Sequence, residues 1–571
     1  PLRKISDMQR FLILIAVILL LSSVREVSAQ TRPVTRVNRS SAHHEIPDQP
    51  YRAPGVRITA PGYHYRGTGF FTTQVNVAAG GANILGDAAN EPSIAVNPLD
   101  PNQIVVGWRQ FDDVNNNFRQ AGWGFSSDAG QTWTFPGVID PGIFRSDPVL
   151  DANADGSFYY NSLTTYTGDY TCDVYKSTNG GAQWGTAVQA HGGDKQWMTI
   201  DASDGPGRGN IYSSWNVSYS SCLPGFFTRS ADAGASFEDC IEVDGYPYWG
   251  TMAVGPFGEL YVAGAGSFGG AMVVKSTNAQ VPGSEIAWNP AAEIDLDGYI
   301  VSSDPINPVG LLGQVYVDVD RSAGSGRGNV YVVASVARAS VSDPADVMFA
   351  RSTNGGATFE PPVRINNDVL GNYQWFGTMS VAPNGRIDVI WLDTRDNPGT
   401  YLSSLYYCYS DDQGVTWSIN KQISDAFDPS LGYPQQSKMG DYFDMVSDND
   451  GAHLAWANTF NQEEDVYYTH IIPTIVGLEE NTPNAEKPAL SCTPNPFTGD
   501  AMISYTLPSD GHVRIDLCST AGVVLHTLVD REETKGFHTV GLPGNELPAG
   551  FYLCRMKTSH STVTGRVIKA G

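Results

Sequence analysis

Charged and aromatic residues stand at the start of successive short apolar segments of the chain. Glu91 precedes one such segment, and Asp147 precedes the next. The later members of this set are Asp194, Lys195, Trp197, Trp249, Trp375, Asp441 and Tyr442. Carboxylates accept hydrogen bonds from hydroxyl groups, and aromatic rings stack on the apolar faces of sugars. If the fold brings the segment starts together, these residue types indicate a sugar-binding site.

Three arginines near the same segments would suit a sugar that carries a carboxylate. Arg109 and Arg395 follow the second strand of a unit, and Arg145 precedes a first strand. A guanidinium group matches a carboxylate with two parallel hydrogen bonds. Two plainer interpretations stay open. The aromatic residues would pack between neighbouring sheets, and Asp393 would form a structural ion pair with Arg395.

The turns that position these segments repeat along the chain. Residues 126–133 (SSDAGQTW) combine an Asp that accepts backbone N–H bonds, a Gly that allows a positive φ and a Trp that packs beneath the hairpin. Close copies occupy 177–184, 230–237, 352–359 and 410–417, and a sixth begins at Ser276 and reaches Trp288 after an insertion. Six occurrences at intervals of about 50 to 75 residues predict a repeat architecture.

These turns resemble the Asp boxes (BNR repeats) of the sialidase superfamily and related β-propellers. The resemblance implies that each box joins the two outer strands of a blade, on the face away from the active site. In an antiparallel blade, the start of the inner strand and the end of the second strand lie on the opposite face, around the central channel. The candidate residues would therefore converge at the channel rim.

A second repeat favours seven blades, with six as the alternative. Seven units each pair an apolar strand with a second strand, and the strings GRGNIY (207–212) and GRGNVY (326–331) show that the units are copies. The last unit supplies three strands, whereas 70–78 (FFTTQVNVA) is a spare strand ahead of the first unit. We expect the two ends of a propeller spanning 68–472 to complete one blade together, which removes an exposed edge.

The resemblance also implies an activity. Sialidases bind the substrate carboxylate with three arginines and use an Asp as acid/base and a Tyr nucleophile activated by a Glu. From their expected places at the channel rim, the candidates here are Arg109, Arg145 and Arg395 for the carboxylate, Asp147 or Asp194 as acid, Tyr442 as nucleophile and Glu91 as its substitute activator. Further candidate substrate contacts are Lys195, Trp197, Trp249, Trp375, Asp393 and Asp441. The family's Arg-Ile-Pro motif is absent, since the nearest string, Arg57-Ile58-Thr59, lies ahead of the blades.

Two functions follow from these residues. The first is a glycoside hydrolase of the exo-sialidase type, with its site at the central channel. The second is a non-catalytic propeller that binds a glycan or a protein at the cell surface. The Asp boxes and the channel residues fit both functions, and the missing motif favours the second.

Composition and the start of the chain predict an exported all-β protein. The chain has 60 Gly and 35 Pro with only 17% charged residues, and its net charge of −25 argues against nucleic acid or an anionic membrane as a partner. Residues 1–29 combine an apolar run (11–21) with a small-residue cleavage site (27–29), which indicates a signal peptide. The run is too short for a membrane anchor, and no other segment is predicted to span a membrane. Residues 30–67 are polar and punctuated by Pro, which predicts a flexible leader.

The end of the chain forms a separate unit in this interpretation. Residues 473–489 are a polar linker, and 490–571 contain short alternating strands typical of a small β-sandwich. The strings TPNPF, ISYTLP, HVRIDL and LPAGFYLCR resemble the C-terminal sorting domain of type IX secretion cargo. The resemblance implies the type IX secretion machinery as a partner and a location outside a Gram-negative cell, secreted or on the outer-membrane surface.

Two weaker patterns concern metals and cysteines. Asp151, Asn153 and Asp155 have the D-x-N-x-D-G form of a calcium loop, but the twelfth position is Ser162. A hairpin turn is expected there, so a plain turn is favoured, with calcium as the alternative and no other cofactor predicted. Cys222 could pair with Cys240, and Cys518 with Cys554, while free thiols remain the alternative because spacing alone does not determine pairing.

Overall fold

The computed structural model describes residues 48–166, 168–266, 269–473, 489–507, 509–519, 524–544, 547–558 and 562–570. The predicted signal peptide and the first part of the predicted leader lie outside these residues, as does most of the predicted linker. The chain divides into two compact units between Gly477 and Leu478. Both units consist of β-strands, as the sequence predicted, and a short 3₁₀ turn lies at Val217–Tyr219. No described helix is long and apolar enough to cross a membrane.

The first unit is a β-propeller built from antiparallel sheets that follow one another along the chain. We number these sheets as blades 1 to 7 and give their strands from the inner edge outward. Blade 1 contains Ala88–Val96, Ile104–Phe111, Gln120–Ser126 and Thr134–Ile139. Blade 2 contains Ser146–Ala152, Phe158–Thr165, Tyr170–Ser177 and Val188–Gln189. Blade 3 contains Trp197–Ile200, Ile211–Ser214 and Phe227–Ser230.

The remaining blades follow the same plan. Blade 4 contains Met252–Val254, Leu260–Ala265, Ala271–Ser276 and Ala292–Ile294. Blade 5 contains Tyr316–Val319, Val330–Arg338, Asp346–Ser352 and Val363–Arg364, with Gly298–Ile300 paired to its second strand. Blade 6 contains Gln374–Val381, Ile387–Asp393, Ser404–Ser410 and Lys421–Gln422. Two small hairpins add Ile58–Ala60 with Asn83–Leu85, and Ser302–Asp304 with Asn307–Leu311.

Blade 7 combines strands from both ends of the propeller. Its strands are Asp444–Ser447, Ala452–Asn458, Asp465–Ile471, Phe70–Gln74 and His64–Gly67. Phe70 lies opposite Ile471, so the spare strand completes the blade in the way the sequence indicated. The inner strands contact one another in order from blade 1 to blade 7, and that of blade 7 contacts that of blade 1. This closure leaves no unpaired edge at the junction of the two ends.

Residues 48–67 differ from the flexible leader that the sequence predicted. Strand 64–67 extends blade 7, and strand 58–60 pairs with 83–85. Asp48 also forms a salt bridge with the buried Arg119, at 3.2 Å between Oδ1 and Nε. Polar contacts and single aromatic contacts, such as that of Tyr63 with Phe460, attach the segment to the propeller, so it shows no regular hydrophobic period.

The repeated turns that resemble Asp boxes lie in blades 1 to 6, at the end of the blade where the inner strand finishes, and we call this side the Asp-box face. In the first box, the Asp128 carboxylate accepts the Thr132 N–H at 2.9 Å, and Ser126 Oγ accepts the Gly130 N–H at 2.9 Å. Asp232, Asn354 and Asp412 make the same turn bond in their boxes. The opposite side, where the inner strands begin, is called the upper face.

Side chains of one inner strand also accept a backbone N–H from the inner strand of the next blade. Hydroxyl groups do so at three junctions: Ser93 accepts from Leu150 (2.9 Å), Thr251 from Val317 (3.0 Å) and Ser380 from Ser447 (2.9 Å). Carboxylates do so at three others: Asp151 accepts from Ile200 (2.8 Å), Asp318 from Val381 (2.7 Å) and Asp444 from Ile94 (3.1 Å). These bonds satisfy backbone donors around the channel and hold neighbouring blades in register.

The second unit contains two antiparallel sheets. One sheet contains Ala489–Thr493, Ala501–Leu507 and Gly536–Leu542, and the other contains Val524–Glu533, Gly511–Cys518, Gly550–Lys557 and Thr562–Lys569. Ile503, Val513, Ile515 and Met556 are buried in one core between them. Cys518 and Cys554 are free thiols, whereas Cys222 and Cys240 of the propeller form a disulfide.

Candidate functional site

One residue at the upper end of each inner strand has a left-handed backbone. These seven residues are Glu91 (φ 47°), Asp147 (43°), Lys195 (57°), Trp249 (56°), Gly313 (129°), Phe376 (55°) and Gly440 (100°). In each blade the chain then continues down the channel, and the position two residues later is Ser93 in blade 1 and Tyr442 in blade 7. Left-handed backbone is costly for residues other than Gly, and such residues concentrate at functional sites. The ring therefore marks the upper end of the channel as the candidate site.

Lys195 occupies the centre of this site and is fully buried. Its Nζ lies 2.6 Å from Asp441 Oδ2, and 3.6 Å from both Asp147 Oδ2 and Asp194 Oδ1. Burial alone would lower the pKa of Lys195, but the neighbouring carboxylates raise it above its usual value. Lys195 is therefore a charged ammonium group held by three carboxylates from three blades.

A second cation, Lys438, connects this cluster to blade 1. Its Nζ lies 2.7 Å from Asp441 Oδ2 and 3.4 Å from Glu91 Oε1. Glu91 Oε2 lies 3.1 Å from Arg109 Nε, which also donates to Asn90 Oδ1 at 2.8 Å. Lys438 was missed in the sequence because it lies in a loop, outside any strand pattern.

The buried cluster contains more acidic than basic groups. Five carboxyl groups (Glu91, Asp147, Asp194, Asp441 and Glu464) lie near three cations (Arg109, Lys195 and Lys438). Burial raises the pKa of Glu91 to about 8, and burial also raises the pKa of Glu464 well above its usual value. Burial therefore favours the protonated form of both carboxyl groups, which reduces the negative charge of the cluster.

Tyr442 and Trp197 pack beneath the charged cluster and close the channel. Their ring centroids are 5.6 Å apart at 81°, and the Tyr442 hydroxyl donates to the Pro148 carbonyl at 2.8 Å. Burial raises the pKa of Tyr442 well above its usual value, and the charges of Glu91 and Asp147 raise it further. Both rings are at least nine-tenths buried. This arrangement places a tyrosine, a glutamate and an aspartate together, but inside the protein.

A hairpin and a loop cover the cluster on its upper side. Asn307, in the hairpin 302–311, donates to the Gly440 carbonyl at 2.9 Å, and Leu311 N donates to Asp441 Oδ1 at 2.8 Å. Met439 N donates back to Asn307 Oδ1 at 2.9 Å. These bonds attach the hairpin to the loop that carries Lys438.

The other two predicted arginines have partners of their own. Arg145 Nη2 lies 2.9 Å from both Asp140 and Asp173, at the upper end of blade 2. Arg395 Nη2 lies 2.7 Å from Asp393 Oδ2 in blade 6, and its guanidinium stacks over Tyr406 at 4.5 Å. None of these partners contacts Arg109 in the described residues. The structure therefore places the three arginines in three separate ion-pair groups, and Asp393 in the structural pair.

The two remaining tryptophans differ in their surroundings. Trp375 is fully buried, donates to Ser403 Oγ at 3.1 Å and packs against Phe376, so it belongs to the core of blade 6. Trp249 packs against Tyr248 and, with Trp197 and Trp215, lines a narrow crevice beside Lys195. The crevice is therefore lined by aromatic rings and lies next to the charged cluster.

The D-x-N-x-D-G segment forms a hairpin turn in the structure. The Asp155 carboxylate accepts the Ser157 N–H at 2.9 Å, and Asn153 Oδ1 accepts the Ala154 N–H at 2.7 Å. Asp151 instead points to the neighbouring blade, where it accepts the Ile200 N–H. The three side chains face different partners, which is the arrangement of the plain turn that the sequence favoured.

Comparisons with known proteins give structural but not sequence matches. No family model and no curated protein matches the chain. A protein of unknown function from Dyadobacter fermentans DSM 18053 is 13% identical, with a TM-score of 0.40 over 70% of this chain and 98% of that one. The endosialidase of phage phi92 is 9% identical (TM-score 0.38, 88% of each chain), and a Trypanosoma rangeli sialidase is 10% identical (TM-score 0.35, 90% of this chain and 88% of that one). At these levels of similarity, activity has to be argued from this chain's own residues.

Proposed function

We propose that the upper face of the propeller binds glycans and that the chain is a glycan-binding module rather than a hydrolase. The observation that carries this proposal is a pair of exposed tyrosine rings on upper-face loops. Tyr166 is 58% exposed and Tyr246 is 36% exposed. Each hydroxyl donates to a carboxylate, Tyr166 to Asp173 and Tyr246 to Glu242.

These contacts hold both rings in place while leaving ring surface open to solvent. Tyr246 also stacks on Phe226, with centroids 5.4 Å apart and planes at 25°. A ring that is already oriented loses little conformational entropy when a sugar stacks on it, which favours binding. The carboxylate beside each ring adds a hydrogen-bond acceptor for sugar hydroxyls.

The charges near Tyr166 favour a neutral glycan over a carboxylated one. Arg145 already pairs with Asp140 and Asp173, so its charge is balanced within the protein. Around Lys195, the carboxylates outnumber the cations, and all of these groups are buried. A carboxylated sugar would have to displace an internal carboxylate at either place.

The test is binding of the full chain to a panel of immobilised neutral and acidic polysaccharides. We expect Tyr166→Ala and Tyr246→Ala each to weaken binding about 3- to 10-fold, because an aromatic stacking contact contributes about 0.5–1.5 kcal/mol. Tyr166→Phe retains the ring and should keep most of the affinity.

Phe257→Ala is the matched control, since Phe257 is 62% exposed but lies in a turn on the Asp-box face, under Arg327. Equal losses in Phe257→Ala and Tyr166→Ala would contradict an upper-face site.

A hydrolase of the sialidase type is the second candidate, and one observation favours it. Glu91 and Asp147 act electrostatically on Tyr442 across the cluster, and a carboxylate beside a tyrosine hydroxyl is the base that a tyrosine nucleophile requires. The test is turnover of a fluorogenic sialoside and of neutral glycosides by the full chain. Turnover that is lost in both Tyr442→Phe and Glu91→Gln would establish the enzyme, and the absence of turnover on every substrate would exclude it.

We also propose that the protein acts outside a Gram-negative cell, with the C-terminal unit as its export signal for the type IX machinery. The support is the sequence resemblance of 490–571 together with the separate compact unit that begins at Leu478. Deleting 490–571 in a host with this machinery should leave the propeller inside the cell, and unchanged export would contradict the proposal.

A further inference from the structure

Partly exposed aromatic rings follow one another along the upper rim of blades 1 to 3. Tyr51 lies against Phe118, with ring centroids 5.4 Å apart. Phe144 stacks on Tyr170 at 6.2 Å and 29°, and Tyr170 contacts Tyr219 at 6.1 Å. Tyr51 is 38% exposed and the other four residues are half-buried, so the group presents ring surface to solvent. We call these five rings the aromatic track.

The two halves of the track lie side by side. The Arg119 carbonyl accepts the Arg145 N–H at 3.0 Å. Phe118 and Phe144 precede these two residues in the chain, so the bond holds their segments together. The Arg119 guanidinium also lies over the Phe144 ring, at 5.0 Å from its centroid. The track therefore runs from blade 1 to blade 3 through groups that contact one another.

The segments that carry the track all lie on the upper face. Phe118 follows the second strand of blade 1, Phe144 precedes the inner strand of blade 2, and Tyr219 follows the second strand of blade 3. Tyr170 begins the third strand of blade 2 and closes the short turn that carries Tyr166. One ring of the proposed glycan site thus lies beside the middle of the track.

The other ring of the proposed site lies beyond the blade 3 end of the track. Loop 215–226 carries both Tyr219 and Phe226, and Tyr246 stacks on Phe226 at 5.4 Å. The exposed rings of Tyr166 and Tyr246 are therefore connected by neighbouring aromatic residues and do not form two isolated contacts.

The charges along the track favour a neutral sugar polymer as its occupant. Arg119 pairs with Asp48 at 3.2 Å, and Arg145 pairs with Asp140 and Asp173, each at 2.9 Å, so both guanidinium groups are balanced within the protein. The Asp140 side chain is 48% exposed and can accept hydrogen bonds from sugar hydroxyls. Charged residues are depleted at the centre of protein–protein interfaces, so carboxylates set between the rings suit a sugar chain better than a protein.

We propose that the aromatic track binds an internal stretch of a neutral polysaccharide, with sugars stacked on rings in blades 1, 2 and 3. This inference rests on the proposed glycan-binding function and adds the length of chain that is recognised. A terminal sugar stacks on one ring face and leaves the rest of the track uncovered, whereas an extended chain can cover rings in all three blades.

The test is calorimetric titration of the full chain with a length series of oligosaccharides cut from a neutral polysaccharide that it binds. We expect the affinity to rise at least 10-fold from the disaccharide to the hexasaccharide, because each further stacking contact contributes about 2- to 10-fold. Chemical reduction of the hexasaccharide's reducing end should leave its affinity unchanged, because an internal stretch is recognised away from the chain ends.

Substitutions at the two ends of the track examine its extent. Tyr51→Ala and Tyr219→Ala should each weaken hexasaccharide binding about 3- to 10-fold and reduce the gain of affinity with length. Tyr51→Phe retains the ring and should keep most of the affinity. Tyr299→Ala is the matched control, because Tyr299 is 54% exposed on a strand beside blade 5, outside the track. The exposed Tyr51 keeps the test informative if Tyr219→Ala fails to fold.

Failure of this inference can be distinguished from failure of the proposed function. Equal affinity for the disaccharide and the hexasaccharide, or loss of binding on reduction of the chain end, would show recognition of a terminal sugar and overturn the extended site while glycan binding stands. Wild-type hexasaccharide affinity in both Tyr51→Ala and Tyr219→Ala would do the same. No affinity of the folded wild type for any polysaccharide would overturn both proposals and leave a protein as the ligand of the track.

Discussion

Gly130 in the first Asp box contacts the blade that closes the propeller, and its replacement by Ala tests that contact. Gly130 has a φ of 79°, and a Cβ added to it would lie 2.1 Å from Cε1 of Tyr468. Tyr468 is fully buried in blade 7, and its hydroxyl bonds to His453 Nδ1 at 2.7 Å. The ring cannot move aside without breaking that bond.

Two terms set the expected loss of stability. A left-handed backbone costs about 1–2 kcal/mol once the residue carries a Cβ, and overpacking a buried site costs about 1–3 kcal/mol. Gly130→Ala should therefore lower the free energy of unfolding by about 2–5 kcal/mol. Gly80→Ala is the matched control, because Gly80 has a φ of 84° but no atom within 4 Å of its added Cβ. Only the backbone term of about 1–2 kcal/mol applies there.

The assay is urea unfolding followed by tryptophan fluorescence. All 12 tryptophans precede residue 473, so the signal reports the propeller and not the C-terminal unit. We expect the Gly130→Ala midpoint to fall clearly below that of Gly80→Ala. Equal midpoints for the two variants would refute the contact between the first Asp box and Tyr468.

Two further predictions concern charge and covalent links. The pKa of Glu91 is about 8 in the folded state and 4.5 in the unfolded state, so the folded state holds a proton that the unfolded state releases. The stability that this proton contributes is complete below about pH 4.5 and is lost as the pH rises through 8. Relative to Glu91→Gln, the wild type should lose up to about 1.4 kcal/mol of unfolding free energy per pH unit between pH 5 and 8, and a pH-independent difference would mean that Glu91 is ionised throughout. The Cys222–Cys240 disulfide has a sequence separation of 18, so the double Ser variant should lose about 3 kcal/mol by the same urea assay, and an unchanged midpoint would contradict a stabilising role.

The sequence predicted the fold well because the relevant signals are local. The repeated string specifies a turn within eight residues, and Asp128, Asp232, Asn354 and Asp412 each accept the backbone N–H that the turn requires. The closing strand was also predictable, since a three-stranded last unit and a spare strand at 70–78 must pair to remove an edge. Residues 48–67 could not be assigned in this way, because polar contacts such as Asp48 with Arg119 leave no periodic pattern.

The sequence predicted that several charged residues would lie together at the channel, but not how they pair, and their role as a functional site stays a prediction. Glu91, Asp147, Lys195 and Asp441 do converge on the channel, because the start of each inner strand lies on the upper face. Sequence spacing cannot show that these groups neutralise one another, since that depends on side-chain distances across blades and on Lys438 from a covering loop. Gly313 and Gly440 belong to the same ring of left-handed residues at the upper end of the channel. An alignment of the seven inner strands would have added both glycines to the predicted site.

Fixed tyrosine rings on the upper face form the proposed glycan-binding site. The most direct measurement is the affinity of the full chain for a neutral polysaccharide, compared among the wild type, Tyr166→Ala and Phe257→Ala. We predict that Tyr166→Ala binds about 3- to 10-fold more weakly while Phe257→Ala binds like the wild type. Wild-type affinity in Tyr166→Ala, or no binding by the folded wild type to any polysaccharide, would contradict the account.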